Sequence, residues 1–416
     1  MRKEKTDVLI IGAGPAGTVA AAYLAQKGIQ VSIVEKSKFP RYTIGESLIP
    51  HCMENFKEAG LLDTLQKQNY QIKKGAKFIR NNTVGLVDFA EKFGEGWNYT
   101  WQVPRDHFDN VLAEACQQKG VKIDYNTKIN KVSFLADTTS VTEVEKDGET
   151  KQIEASFVID ASGFGRVLAK QLDLDAPLNL AQHSSIFTQV RDILRPEGEK
   201  GAQITFEVIE RDVWFWYIPF SNGNTSIGFV GPNNWFSQFS DNLETAFREM
   251  LSYSKNFKEQ FINQAFLFIP KKVNNMAKNV SKTYGKGFVI TGNSAKFLDP
   301  IFSSGVAFAT ESSLRAAKLI LKELQNEKVD WQKDYEDYIN KGTAVFESYV
   351  REWYNGNLQK LILHPNPNNQ IKQQICAVLA GYVWDHTNPF VRKHTSIIKN
   401  VANLIRLEDK NKKINF

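Results

Sequence analysis

Thr6-Asp7-Val8-Leu9-Ile10-Ile11 runs straight into Gly12-Ala13-Gly14-Pro15-Ala16-Gly17, and this junction decides the fold. The apolar run predicts a strand, and the alanine-rich stretch from Thr18 to Lys27 predicts a helix. Gln30 to Glu35 predicts a second strand that ends on an acid. Together they make a βαβ unit with Gly-x-Gly-x-x-Gly at its first turn. Gly12 permits the tight turn, Gly14 lets a pyrophosphate approach the backbone, and Gly17 lets helix and strand pack closely. Free amides at the helix N-terminus suit phosphate. Glu35 lies 18 residues beyond Gly17, where a carboxylate accepts the ribose hydroxyls of an adenosine. A helix start with tight packing alone does not require all three glycines and the acid in register. The unit therefore predicts dinucleotide binding.

Working outward, 416 residues leave room for two or three structural units and an ample core. Hydrophobic residues at 42% and charged residues at 24% are ordinary for a globular chain. Aromatics reach 12%, which suits either a cavity for a flat ligand or an aromatic-rich core. The net charge of +6 is scattered, with no long basic block, so nucleic acid is not an expected partner. Cys52, Cys116 and Cys376 form no CxxC pair and read as buried thiols of a reducing, cytoplasmic setting. No apolar stretch reaches the ~18 residues of a membrane span. His51, His107 and His183 have no partner at metal spacing and read as structural or surface residues, so no metal is expected.

The periodicity predicts a discontinuous plan. Leu48 to Gln66 reads as helix, 77–80, 83–89 and 98–103 as short strands, and Arg105 to Lys119 as helix again. Strands follow at 121–125, 129–135, 140–146 and 152–159, with a hairpin turn at Asp147-Gly148. Residues 182–231 alternate strongly and predict a second sheet. Residues 287–292 read as a strand returning to the first unit, 303–324 as a long helix, and the chain from Trp331 as mostly helical. The expected class is α/β. Residues 1–175 with 280–330 form a Rossmann-like dinucleotide domain, 70–104 with 176–279 a mixed β-sheet substrate domain, and 331–416 a helical C-terminal region.

The glycine unit, Asp160-Ala161-Ser162-Gly163 and Gly292-Asn293-Ser294 through Asp299-Pro300 together resemble the three FAD-contacting segments of the FAD monooxygenase superfamily. Three further segments resemble its flavin-dependent halogenase and geranylgeranyl-reductase branch. Phe39-Pro40-Arg41 with Ile44-Gly45-Glu46-Ser47 is similar to the segment after the second strand. Trp214-Phe215-Trp216-Tyr217-Ile218-Pro219 satisfies Trp-x-Trp-x-Ile-Pro, and Phe297 to Gly305 satisfies Phe-x-x-Pro-x-x-Ser-x-Gly. The resemblance spans residues 5–350. One departure stands out: Asn293 occupies a position where family members often have Asp.

The resemblance implies FAD as cofactor. It implies a binding set of Gly12, Gly14, Ala16, Gly17, Glu35, Lys36, Arg41, Ser47, Arg105, Asp160, Gly163, Asn293, Asp299, Ser304, Gly305 and Val306. It also implies a lysine between flavin and substrate. Lys73-Lys74-Gly75-Ala76-Lys77-Phe78 matches the family setting with Lys73 at the key position, and Lys74 stays open by register. Three lysines in five residues otherwise read as a solvated strand edge. Lys73, Trp214, Trp216 and Ser304 are the implied catalytic group, with the tryptophans walling the flavin chamber from the substrate. A buried aromatic core strand is the plainer reading of the tryptophans. Two activities remain open: oxygen activation for halogenation or hydroxylation, and hydride transfer as a dehydrogenase or ene-reductase. A non-catalytic FAD-binding protein is the outside reading. The expected partners are a small-molecule substrate, free or carried on a carrier protein, and a separate flavin reductase.

Overall fold

The computed structural model describes residues 2–136 and 139–414, and among these the strands form an eight-stranded sheet, a seven-stranded sheet and a two-stranded ladder. The first sheet grows from the opening βαβ unit. Strand Arg2–Ile11 lies between Val31–Val34 and Glu149–Asp160, parallel to both. Lys122–Asp124 and Phe288–Ile290 extend the parallel order outward. The register aligns the strand ends. Ile11 sits opposite both Val34 and Asp160, and Ile290 opposite Asp160. The glycine turn, Glu35, the turn after Asp160 and the turn at Gly292 therefore gather along one carboxyl edge. That is where open parallel sheets bind their ligands.

Helix Pro15–Gln26 begins earlier than the residue pattern predicted, with Pro15 in its first turn and Gly14 as extended N-cap. Proline fits this position because its missing N–H is not needed there. The helix lies low on the sheet. A Cβ on Gly17 would stand 2.0 Å from the Gly12 carbonyl oxygen. The expected helix over residues 48–66 is two helices, His51–Glu58 and Leu62–Gln66, broken at Gly60, whose φ of +62° ends the first. A short strand at Gln71–Lys73, paired with Thr100–Gln102, was not expected. The predicted turn at Asp147-Gly148 has both residues at positive φ, the geometry of a type I′ hairpin.

The seven-stranded sheet runs Lys271–Val273, Ser184–Arg191, Asn224–Gly231, Trp214–Pro219, Thr205–Val208, Gly75–Arg80, Thr83–Asp88. Its pairs are antiparallel except where Thr205–Val208 lies parallel to Gly75–Arg80. Strand alternation separates two faces. Phe215, Tyr217, Ile227 and Phe229 pack under helix Leu243–Leu251 with Phe247 and Met250. Trp214, Trp216, Ile218, Phe187 and Phe206 join the main core on the other face, toward the first sheet. Gly228 makes room there, since a Cβ would come within 2.4 Å of the Trp216 ring. Helix Gly305–Leu324 packs beside Pro15–Gln26, and Asp337–Tyr354 and the helices after it complete the fold. Among the described residues no helix is long and apolar enough to cross a membrane.

Candidate active site

One cavity of about 660 Å³ runs from the glycine turn to the aromatic face of the second sheet. Its first half is built at the aligned strand ends. Gly12, Gly14 and Ala16 line it, together with Glu35, Lys36, Gly163 and Asn293. Gly12 needs its freedom, with φ +100° and the Ala161 carbonyl oxygen 2.6 Å from where a Cβ would sit. At Gly14 a Cβ would point into the cavity, with only the Arg41 guanidinium near it, at 3.7 Å. A bare glycine backbone beside a guanidinium suits a pyrophosphate. Glu35 accepts the Ala13 N–H at 2.9 Å and the Ser37 N–H at 3.0 Å, which clamps the turn to the second strand. Carboxylate oxygens accept more than one bond each, so Glu35 can also take ribose hydroxyls.

Arg41 and Arg105 are fixed by a shared acid. Arg41 donates to Asp109 at 3.0 Å, and Arg105 grips both Asp109 oxygens at 2.8 and 3.0 Å. Arg105 also donates to the Ile44 and Gly45 carbonyls, holding the segment that carries Glu46 and Ser47 against the cavity. At the far side, Ser303 stands at φ +57° and turns the chain into helix Gly305–Leu324. Its N-cap Ser304 makes no side-chain capping bond, and Gly305 and Val306 line the cavity, so the first amides are available to an anionic edge. The chamber ends on Phe206, Trp214, Trp216 and Ile218.

Not every residue implied by the resemblance reaches this cavity. Gly17 serves the helix–strand packing described above. Asp160 is fully buried and accepts the Ser162 and Leu168 N–H groups, so it builds the turn and not the cavity wall. Asp299 also faces elsewhere. It accepts the Ile301 N–H and the Tyr354 hydroxyl, and His183 stands 3.3 Å away, stacked on Tyr354. Tyr354 in turn accepts from Trp214 Nε1 at 3.0 Å, tying the last turn of helix Asp337–Tyr354 to the tryptophan strand. Ser304 is buried as the N-cap of its helix and does not line the cavity.

Lys73, the last residue of strand Gln71–Lys73, and Lys74, in the link before strand Gly75–Arg80, face opposite ways. Lys74 is exposed and pairs with Glu199, whereas Lys73 is 4% exposed. The Lys73 ammonium donates to Ser47 Oγ at 2.8 Å and to the Leu48 carbonyl at 2.7 Å, with Ser303 Oγ at 3.5 Å. Ser47 and Ser303 line the cavity, and Lys73 stands one hydroxyl behind them. Burial lowers its pKa from 10.5 to about 7, the charge of nearby Cys52 opposing the shift. Glu46 moves the other way. Burial raises it to about 7, against hydrogen bonding from Ser226, Gln189 and Tyr42 and the charge of Arg105. Glu46 was visible in the sequence only as part of the Ile-Gly-Glu-Ser segment. Tyr42, Ser185, Phe206 and Met276 also line the cavity and carried no sequence signal.

The residues present fit a dinucleotide flavin. Gly12, Gly14 and Arg41 would hold its pyrophosphate, Glu35 its ribose, and Asn293 with the Gly305 and Val306 amides its ribityl and ring edge. Comparison with known proteins agrees. The family described as FAD binding domain matches residues 5–351. A tryptophan 2-halogenase of Chondromyces crocatus is 30% identical over 83% of this chain and 67% of its own length. A 1H-pyrrole-2-carbonyl-[peptidyl-carrier protein] chlorinase of Pseudomonas fluorescens is 28% identical over 91% of this chain and 89% of its own. A solved flavoprotein/dehydrogenase of Cytophaga hutchinsonii is 46% identical with a TM-score of 0.95, covering 98% of this chain and all of that one.

Proposed function

We propose, for a chain that belongs to the FAD binding domain family and is an FAD-dependent oxidoreductase of halogenase type, that it halogenates an electron-rich aromatic ring and that Lys73 delivers the halogen. When bound, reduced FAD would supply the oxidising chemistry that turns oxygen and halide into hypohalous acid. The observation that supports the lysine role is its setting: an ammonium buried behind the cavity wall, held by two serines and a carbonyl, with no carboxylate among its hydrogen-bond partners in the described residues. A lysine that titrates near neutrality can donate a hydrogen bond to hypohalous acid when charged. When neutral, its nitrogen takes the halogen as water leaves. The aromatic wall of Trp214 and Trp216 keeps the chamber dry, which preserves the electrophile for the substrate.

The substrate is an aromatic ring, free or borne on a carrier protein as in the pyrrole-acting relative. Electrons come from a separate flavin reductase. Three free, buried thiols fit a cytoplasmic setting. The test is to mix the anaerobically reduced, flavin-loaded protein with oxygen and bromide in the presence of monochlorodimedone. Brominated trap should form in the wild type and in Lys74→Ala and be lost in Lys73→Ala, with flavin reoxidation intact in all three. The Cytophaga neighbour's description supports hydride transfer as the second reading. Reduction of an alkene or oxidation of an alcohol without oxygen uptake or halide effect would establish that reading in place of halogenation.

A further inference from the structure

The cavity wall formed by the second sheet, Phe206, Trp214, Trp216 and Ile218, is apolar except at Ser185. Strand alternation puts Ser185, Phe187 and Gln189 on one face of their strand, with Ser226 beside Gln189 on the neighbouring strand, and of these Ser185 lines the cavity. The Gly45-Glu46 segment crosses this spot. Glu46 is 1% exposed, and its Oε1 accepts from Gln189 Nε2 at 2.6 Å. Its Oε2 is buried and has no hydrogen-bond partner among the described residues. The Tyr42 and Ser226 hydroxyls face the carboxyl closely enough to lower its pKa by hydrogen bonding, but neither reaches the geometry that would satisfy Oε2. The Tyr42 hydroxyl and Ser185 Oγ are likewise buried without partners there. All three residues line the same cavity. Buried polar groups are almost always satisfied, so three orphans on one wall mark a place that a ligand completes.

The groups are also held still. The Tyr42 ring stacks on Phe187 at 6.2 Å, packs on Phe268 at 5.0 Å, and has the Lys271 ammonium 4.8 Å from its centre. The Glu46 carbonyl accepts the Val103 N–H at 2.8 Å, and Arg105 pins Gly45 beside it. A fixed acceptor flanked by two hydroxyls, set into an aromatic wall, fits a flat ring that carries its own donor. An acceptor on the ring's heteroatom also stabilises the positive charge that builds on the ring under electrophilic attack.

We infer that Tyr42, Glu46 and Ser185 form the substrate-recognition site, selecting an aromatic ring with an O–H or N–H donor that Glu46 Oε2 accepts. The inference deepens the proposed function and rests on it. The test uses phenol against anisole, and pyrrole against N-methylpyrrole. Each is titrated into the flavin-loaded protein with tryptophan fluorescence and the flavin difference spectrum as readouts. Phenol or pyrrole should bind about tenfold more tightly than its methylated partner, as for one charge-assisted hydrogen bond. Glu46→Gln should bring that ratio below about threefold, and Tyr42→Phe, which leaves the carboxyl in place, should weaken phenol while sparing most of the ratio. Equal binding within both probe pairs overturns the inference, as does a full ratio retained in Glu46→Gln. Loss of FAD from Glu46→Gln overturns it too, since the carboxyl would then belong to the flavin site. Neither oxygen nor halide enters this assay. Failure to halogenate therefore leaves the binding result standing, and equal probe binding leaves the halogenation test untouched.

Discussion

Replacing Lys73 by methionine should change how stability depends on pH. In the unfolded chain this ammonium keeps its proton to about pH 10.5, and in the fold it releases it at about 7. Between those values the unfolded state holds one more proton than the native state. Stability therefore rises with pH across the window and falls as pH drops toward 7. The full difference corresponds to roughly 5 kcal/mol, at about 1.4 kcal/mol per pH unit. A methionine side chain would keep most of the length and bury no charge, while leaving the Leu48 carbonyl and Ser47 hydroxyl without their donor, at about 1–3 kcal/mol. The assay is urea unfolding of flavin-saturated wild type and Lys73→Met at pH 7.5 and 9.5. The wild type should gain between about 2 and 3 kcal/mol more than the variant over that interval. Stability curves that run parallel in pH would refute a buried, near-neutral lysine, and with it the amine needed to carry halogen.

Three further outcomes follow from the packing. Gly14→Val should fold with unchanged apoprotein melting yet bind no FAD, because its side chain would enter the cavity and not the core; stoichiometric flavin in the purified variant would contradict this. Gly228→Ala should lose about 1–3 kcal/mol in chemical denaturation, since its Cβ would press on the Trp216 ring and on Phe187 Cβ at 2.6 Å. Tyr354→Phe strips a buried donor from Asp299 and an acceptor from Trp214, and should cost about 1–3 kcal/mol with a shift in tryptophan emission; a change under about 0.5 kcal/mol would show that this link carries no stability.

Much of the fold was legible because its signals are local. A strand, three glycines, a helix and a terminal acid name a dinucleotide unit from residues within one βαβ, and period-2 runs mark the second sheet. Boundaries failed where a local signal was weak or overridden. The helix over residues 48–66 breaks at Gly60, and Gln71–Lys73 becomes a strand because Thr100–Gln102 pairs with it. The aspartates were harder. Asp160 and Asp299 stand beside cavity-forming turns, but their carboxylates serve backbone N–H groups and Tyr354. Sequence adjacency to a turn does not say which way a side chain faces.

The sequence by itself determined the dinucleotide turn and the parallel sheet around it, and left Lys73 and Lys74 both open. Turn and sheet depend on neighbours in the chain and on the fixed periods of helix and strand. Only the tertiary structure decided that Lys73 meets Ser47 and, 230 positions along the chain, Ser303. It alone brought Tyr42, Glu46 and Ser185 to one wall, and tied the tryptophan strand to the last turn of helix Asp337–Tyr354. Those juxtapositions arise from connecting segments and strand ends far apart in the chain meeting around one cavity, and the burial that shifts Lys73 and Glu46 toward neutrality exists only once they have packed.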